Sequence, residues 1–250
     1  TMAITGDFLR TMKVRKEDEK KLKKLIQGSI IERKFESRES SAKGNALREY
    51  AIWGESSDYL TRATVKEVKK MNSKVLMDQI EDAMGVETSV FYVGNIDKET
   101  VKQSVQDNLI INQTLRDSNS PFTWEKKLKK TNTVFLYNDK KAVQSQIYII
   151  VEGEVMNLEE RHRSNIFNKY FGGSMSGLVF QEIREFRSLA YSARGTYRRP
   201  YYFDRSGRFE GFIGTQADKT IDAIETYINL LTDMPEKTNR IDGIKSGLLE

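Results

Sequence analysis

Apolar residues recur at helical spacing through the first part of the chain. Leu22, Leu25, Ile26, Ser29 and Ile30 predict one long helix from Lys16 to about Ser37. A second is predicted through Ala46, Leu47, Tyr50, Ala51 and Trp53, stopping at Gly54. Thr64 followed by Glu67 is a capping-box pattern, opening a helix with Val65, Val68, Met71 and Val75 inward. The period then changes. "TSVFYVGN" is a β-branched and aromatic run ended by a glycine, which predicts a buried strand. Asp97 is placed to cap the next helix, with Val101, Val105 and Leu109, so residues 88–110 read as strand then helix.

Alternation dominates the second half. "TVFLYNDKKAVQSQIYIIV" predicts two strands around an Asn-Asp-Lys-Lys turn, with Val143, Ser145, Ile147, Ile149 and Val151 on one face. Asn157 with Glu160 opens a helix carrying Leu158, Ile166, Phe167, Tyr170 and Phe171, and Gly172-Gly173 ends it. Ser176 is placed to cap a short helix with Phe180 and Ile183 inward. "LAYSARGTY" and "GRFEGFIGT" read as strands joined by the loop "RRPYYFDRS". Thr215 with Asp218 predicts a further helix start, with Ile221, Ile224, Ile228 and Leu231 inward. Pro235 suits the first turn of another helix.

These elements predict an α+β fold: an antiparallel-rich sheet with helices on one face, rather than a doubly wound parallel sheet. The polar, turn-rich stretch at 116–130 reads as a connector between residues 1–115 and 131–250. Ile241, Ile244 and Leu248 keep helical spacing up to the last residues, so the second lobe is expected to continue further.

Composition removes most chemistries. The chain has no cysteine and one histidine, His162. Thiolate nucleophiles, disulfides and cysteine metal sites are excluded, and a three-ligand zinc site cannot be built on a His-x-x-Glu-His pattern. The register of "NLEERHRSNIFNKYF" places His162 beside the apolar stripe, as a partly buried structural residue. "GGSMSGL" lacks the lysine of a phosphate-binding loop. The net charge is +5, and lysines of the first third alternate with Glu17, Asp18, Glu19, Glu32 and Glu36. That pattern describes a solvated helix face ahead of a nucleic-acid or anionic-membrane patch. Glu152 and Glu154 read as strand-end surface residues rather than an acid/base pair, and Arg198, Arg199, Tyr201 and Tyr202 as a solvent loop. Arg184 and Tyr191 remain: two strong donors seven residues apart across a helix–strand junction. Residue chemistry alone reads them as a surface pair.

"YFGGSMSGLVFQEIREFRSLAYSARGTY" closely resembles the second-lobe motif of the pitrilysin/insulinase-type zinc peptidases, which include the mitochondrial processing peptidases. The resemblance lies in the glycine-rich turn Gly172, Gly173, Ser174 and Ser176, then Leu178, Ile183, Arg184 and Glu185, then Leu189, Ala190, Tyr191 and Ser192. "AVQSQIYIIV" looks like the strand that opens that lobe, and the likeness runs from about Leu47 onward.

The resemblance implies a two-lobed fold in which two halves enclose a chamber. One half carries zinc on an inverted His-x-x-Glu-His motif. The other supplies an arginine and a tyrosine that reach the bound peptide, here Arg184 and Tyr191. This sequence lacks the zinc motif, so it is expected to be the zinc-free, substrate-clamping half, with no catalytic residue and no metal ligand of its own. Residues 1–115 would be the tail of a preceding lobe. The expected partners are a zinc-bearing half, in the same polypeptide or another, and a peptide; neither nucleic acid nor membrane insertion is expected. A structural or assembly module of the same fold is the alternative, and a basic nucleic-acid binder a more distant one. The compartment stays open.

Overall fold

A computed structural model describes residues 2–86, 90–109, 126–172, 175–185, 187–200 and 205–249. In chain order these form helices α1 (Met2–Thr11), α2 (Lys16–Glu36), α3 (Ser40–Trp53), α4 (Asp58–Thr61), α5 (Val65–Lys70), α6 (Ser73–Met84) and α7 (Lys98–Asn108). Strand β1 (Gln144–Val155), helix α8 (Leu158–Phe171), strands β2 (Ser192–Arg198) and β3 (Ser206–Gln216), and helices α9 (Thr220–Thr232) and α10 (Thr238–Leu249) follow. The chain divides into two compact units, Thr1–Phe35 with Arg62–Trp124, and Glu36–Thr61 with Glu125–Glu250. Residues 36–61 thus group with the second unit, away from the rest of the first 115 residues. Most of the 116–130 connector lies outside the described residues.

The first unit is helical and thinly buried. Its buried described residues are Gly6, Val68 and Val101. Gly6 lets α1 approach α7, because a side chain there would run into the Asn108 carbonyl. The Arg10 guanidinium also donates to the Asp107 carbonyl at 2.8 Å. The charges at the start of α2 pair locally, Asp18 with Arg15 and Lys21 at 3.5 and 3.8 Å. Both halves of the Thr64–Glu67 capping box form. The helix they open is shorter than predicted and stops after Lys70. Asn72 then starts α6 by accepting from the Val75 N–H at 3.0 Å, so one predicted helix is two. Asp97 caps α7 through the Thr100 N–H at 2.9 Å.

Two predicted strands are absent from the described residues. Residues 90–95 are irregular, with Phe91 94% and Val93 100% exposed. Residues 132–139 are irregular too, with Val134 and Leu136 exposed. Sequence preference supplies a surface fit for a sheet, but a strand exists only by pairing. The turn between 138 and 143 does form: Asp139 accepts from the Lys141 N–H at 3.1 Å and the Lys43 ammonium at 2.6 Å.

The second unit is built on a three-stranded antiparallel sheet in the order β1-β3-β2. The two faces of its central strand differ. Phe209, Gly211, Ile213 and Thr215 turn to the core. Helices α8 and α9 cover that face, giving a cluster of Phe171, Val179, Ile183, Ala190, Phe209, Ile213, Ala223, Tyr227 and Leu230. Phe171 meets Phe209 and Tyr227 edge-on at 5.7 and 5.9 Å, each such pair adding about 0.5–1.5 kcal/mol beyond area burial. Tyr227 is fully buried, donates to the Arg194 carbonyl at 2.7 Å, and has its phenol pushed up by burial. Arg208, Glu210, Phe212 and Gln216 turn the other way. There α3 contributes Arg48, which donates to Glu210 at 3.1 Å, and Asn45, which accepts from the Tyr148 hydroxyl at 3.2 Å.

The inward stripe of α9 is shifted from its predicted position, and one residue of α8 is corrected. On α9 the buried positions are Ala223, Tyr227 and Leu230, while Ile221 and Ile228 are exposed. The helix is apolar around much of its surface, so periodicity allowed two registers, and the aromatic pocket selects Tyr227. On α8 Phe167, Tyr170 and Phe171 are inward as predicted, with Ser164 buried beside them, while His162 is exposed, correcting its expected partial burial. Thr215 is no helix cap: β3 runs on to Gln216, and the buried Thr215 hydroxyl donates to the Leu189 carbonyl. α10 begins at Thr238, three residues past Pro235.

The outer edge of β2 is closed by a side chain. Asn168 of α8 donates to the Tyr197 carbonyl at 3.0 Å and accepts from its N–H at 2.6 Å, occupying both backbone groups as a neighbouring strand would. α8 reaches this edge through Gly172, which ends the helix and lies against the Gly195 carbonyl, where no Cβ could fit.

Candidate functional site

The junction that carries Arg184 and Tyr191 is fixed at several points. Residues Phe180–Glu185 form a π-wound turn, a wider winding than an α-helix, with Ile183 fully buried beneath it. The winding sets the Arg184 guanidinium over the Phe180 ring, 4.7 Å from its centroid. Ser188 then takes a left-handed backbone conformation, φ 49°, which costs a non-glycine residue roughly 1–2 kcal/mol and persists only when its surroundings hold it. Those surroundings are visible. The Ser188 N–H donates to the Arg184 carbonyl at 3.2 Å, the Leu189 N–H to the Ile183 carbonyl at 2.9 Å, and the Lys219 ammonium to the Ser188 carbonyl at 3.2 Å. Finally the Tyr191 N–H donates to the Gly214 carbonyl at 2.9 Å, aligning Tyr191 with the end of β3.

Arg184 and Tyr191 consequently line one recess of about 230 Å³, together with Ser188, Leu189, Gln216 and Lys219. Both side chains are accessible: Tyr191 is 56% exposed and the Arg184 side chain 47%. Glu185 pairs weakly with Arg184 at 3.7 Å. The Gln216 amide donates to the Tyr191 oxygen at 2.9 Å, which leaves the phenol hydrogen free to donate elsewhere. The site is therefore rich in donors. Arginine and lysine bring N–H groups only, and the phenol adds an O–H. Such a surface receives carbonyl and carboxylate oxygens.

Of the glycine-rich turn, Gly172 acts in packing α8 onto β2. Gly173 and Ser174 lie outside the described residues, and Ser176 is exposed and not among the residues lining the recess. Glu152 is exposed and accepts from the Ser206 hydroxyl at 3.0 Å, as suits a strand-end residue. Arg198 is engaged with Glu210 at 2.7 Å, while Tyr201 and Tyr202 fall outside the described residues. Among the described residues no group of three or more His, Asp or Glu could hold a metal ion, and no helix is long and apolar enough to cross a membrane. Sequence reasoning did not find Gln216 and Lys219. They reach the recess only through strand register, Ser192 opposite Gly214, which no local motif announces.

Residues 87–248 match the family model described as the peptidase M16 inactive domain. An uncharacterized zinc protease of Rickettsia felis is 33% identical over 109 residues, covering 43% of this chain and 26% of that protein. The chain thus spans about a quarter of that relative. Among solved structures, the peptidase M16 inactive domain from Pseudomonas fluorescens superposes with a TM-score of 0.63 at 12% identity, over 99% of this chain and 59% of that one. The ferredoxin protease FusC, solved in complex with Arabidopsis ferredoxin, gives 0.65 at 12% identity, over 91% of this chain and 25% of that one. These two likenesses establish the fold, α+β with a small antiparallel sheet. With the match at 87–248 covering well over half its length, the chain belongs to the peptidase M16 family, of which it carries the inactive domain.

Proposed function

We propose that this chain is the substrate-clamping half of a zinc metallopeptidase, acting with a zinc-bearing half that performs the cleavage. The supporting observation is the convergence of Arg184 and Tyr191 on one accessible recess, held by a strained turn and four hydrogen bonds. In this reading the zinc and its ligands belong to the other half, and residues preceding the 131–250 lobe are the tail of another lobe. Hydrolysis at zinc builds negative charge on the scissile carbonyl oxygen. The Tyr191 hydroxyl, with its oxygen occupied by Gln216, donates to that oxygen or to a neighbouring carbonyl. Arg184, pre-oriented on Phe180, holds a second substrate oxygen with its fork of donors. Because the groups come from opposite halves, turnover depends on closure around the peptide. Ferredoxin bound to FusC indicates the kind of ligand such a chamber takes, a polypeptide.

The test uses the chain together with its zinc-bearing half. Tyr191→Phe is expected to lower kcat about 100- to 1,000-fold, the range of a lost donor to a developing oxyanion, and Arg184→Ala to lower kcat/KM, both without change in thermal melting. Wild-type turnover in both variants would overturn the assignment. A scaffold role draws support from the internal partners of both side chains, Phe180 and Gln216. It requires instead that binding of a non-cleavable peptide be indifferent to Arg184.

A further inference from the structure

Beyond the arginine–tyrosine pair, the recess has a second cation. Lys219, in the turn between β3 and α9, reaches back to the Ser188 carbonyl at 3.2 Å and lines the same cavity as Arg184. That bond uses one of three ammonium donors. Lys219 makes no ion pair among the described residues, and no acidic side chain lines the recess. Of the nearest carboxylates in sequence, Glu185 pairs with Arg184 at 3.7 Å, Glu182 with Lys237 at 3.4 Å, and Asp218 is exposed and forms no ion pair among the described residues.

Glu185 offsets the Arg184 charge only weakly at 3.7 Å and Lys219 has no such partner among the described residues, so an anion that reaches both cations gains both attractions. A peptide carbonyl carries no net charge and would need only the Arg184 and Tyr191 donors. Holding Lys219 on the strained Ser188 turn adds little to carbonyl recognition but sets a positive charge on the lining of the recess. Its volume of about 230 Å³ admits a carboxylate with its adjoining carbons.

We propose that the recess is a subsite for a carboxylate of the bound peptide, with Lys219 as the residue that selects for charge. The inference rests on the clamping role proposed above. The carboxylate is either an aspartate or glutamate side chain or a free C-terminus, which share this chemistry.

Matched peptides decide it. One series carries Glu against Gln at successive positions, and a second carries a free against an amidated C-terminus. kcat/KM is measured with the zinc-bearing half, and affinity for non-cleavable versions is measured by fluorescence anisotropy on the intact chain. The expected result is about a fivefold preference for the acidic member of one series at low ionic strength, shrinking as salt rises. The series that responds identifies the source of the carboxylate. Lys219→Glu is expected to reverse the preference and Lys219→Gln to abolish it, while Lys23→Glu on α2, an equal charge change elsewhere, leaves it intact. Thermal melting checks that each variant is folded. Equal treatment of acidic and neutral peptides, or an unchanged ratio in Lys219→Glu, overturns the proposal. A clamp without a charge subsite would show loss of turnover in Arg184→Ala with a flat ratio. Failure of the clamp itself would show no Arg184 dependence on any peptide.

Discussion

The two faces of the β1-β3-β2 sheet solve opposite problems with alternate residues of the same strands. On the core face the sheet gives up side chains. Gly195 and Gly211 are bare where the Tyr227 ring approaches the backbone, and a Cβ at Gly195 would stand 2.6 Å from both the Phe171 ring and the Tyr227 hydroxyl. On the other face charged and aromatic side chains meet across the strands, Arg198 and Arg208 at one register position and Arg194, Phe212 and Tyr148 at another. Glu210 is nearly buried among three arginines, Arg48, Arg198 and Arg208, at 3.1, 2.7 and 2.5 Å. Arg194 lies on the Phe212 ring at 4.7 Å. One face stabilises by close packing, where any added atom is resisted. The other uses charge-assisted bonds that depend on protonation and salt. The recess opens at the end of β3, where Gln216 is the last residue of the polar face.

Substitutions separate the two. Gly195→Ala attacks the packed face and is expected to cost about 2–4 kcal/mol, measured by denaturant unfolding, because ring and backbone cannot both yield. Retained stability would show that the core repacks freely. Glu210→Gln attacks the polar face and is expected to cost about 1–2 kcal/mol at neutral pH. Burial alone would push the Glu210 carboxyl up, but Arg198 and Arg208 outweigh it and hold the group below its ordinary value. Its contribution is therefore complete above about pH 4.5 and is lost as pH falls through the lower folded value. The stability gap between wild type and Glu210→Gln should close in acid, and a gap independent of pH would contradict the charged network. The smallest effect is expected at the boundary. Gln216→Ala should lower kcat a few-fold, about 1 kcal/mol for one neutral hydrogen bond, with melting unchanged. No change in kcat would mean that the phenol needs no partner.

Legibility followed the range of the interactions involved. Capping residues act over three positions, and Thr64, Asp97 and Asn157 all cap where the pattern placed them. Helix α3 stops at Gly54, whose φ of +60° explains the glycine. Arg184 and Tyr191 are picked out by a motif and line one recess, and their neighbours show how the junction is held. What failed depended on partners distant in sequence. Phe91, Val93, Val134 and Leu136 have strand chemistry, yet pairing decides strands and the residues around them are irregular. The α9 register turned on Tyr227 fitting a pocket made by Phe171 and Phe209, which no local period encodes. Lys219 and Gln216 enter the recess by the same long-range route.

The side-chain amide of Asn168 has a consequence for how the chain behaves at high concentration. An unguarded sheet edge is a template on which a second molecule can lay a strand, and short aromatic runs such as those around Phe91 and Val134 are the segments that would do so. By filling both backbone groups of Tyr197 with its own amide, Asn168 makes that edge look already paired. One side chain of α8 thus removes the Tyr197 backbone groups from those on which a second molecule could lay a strand.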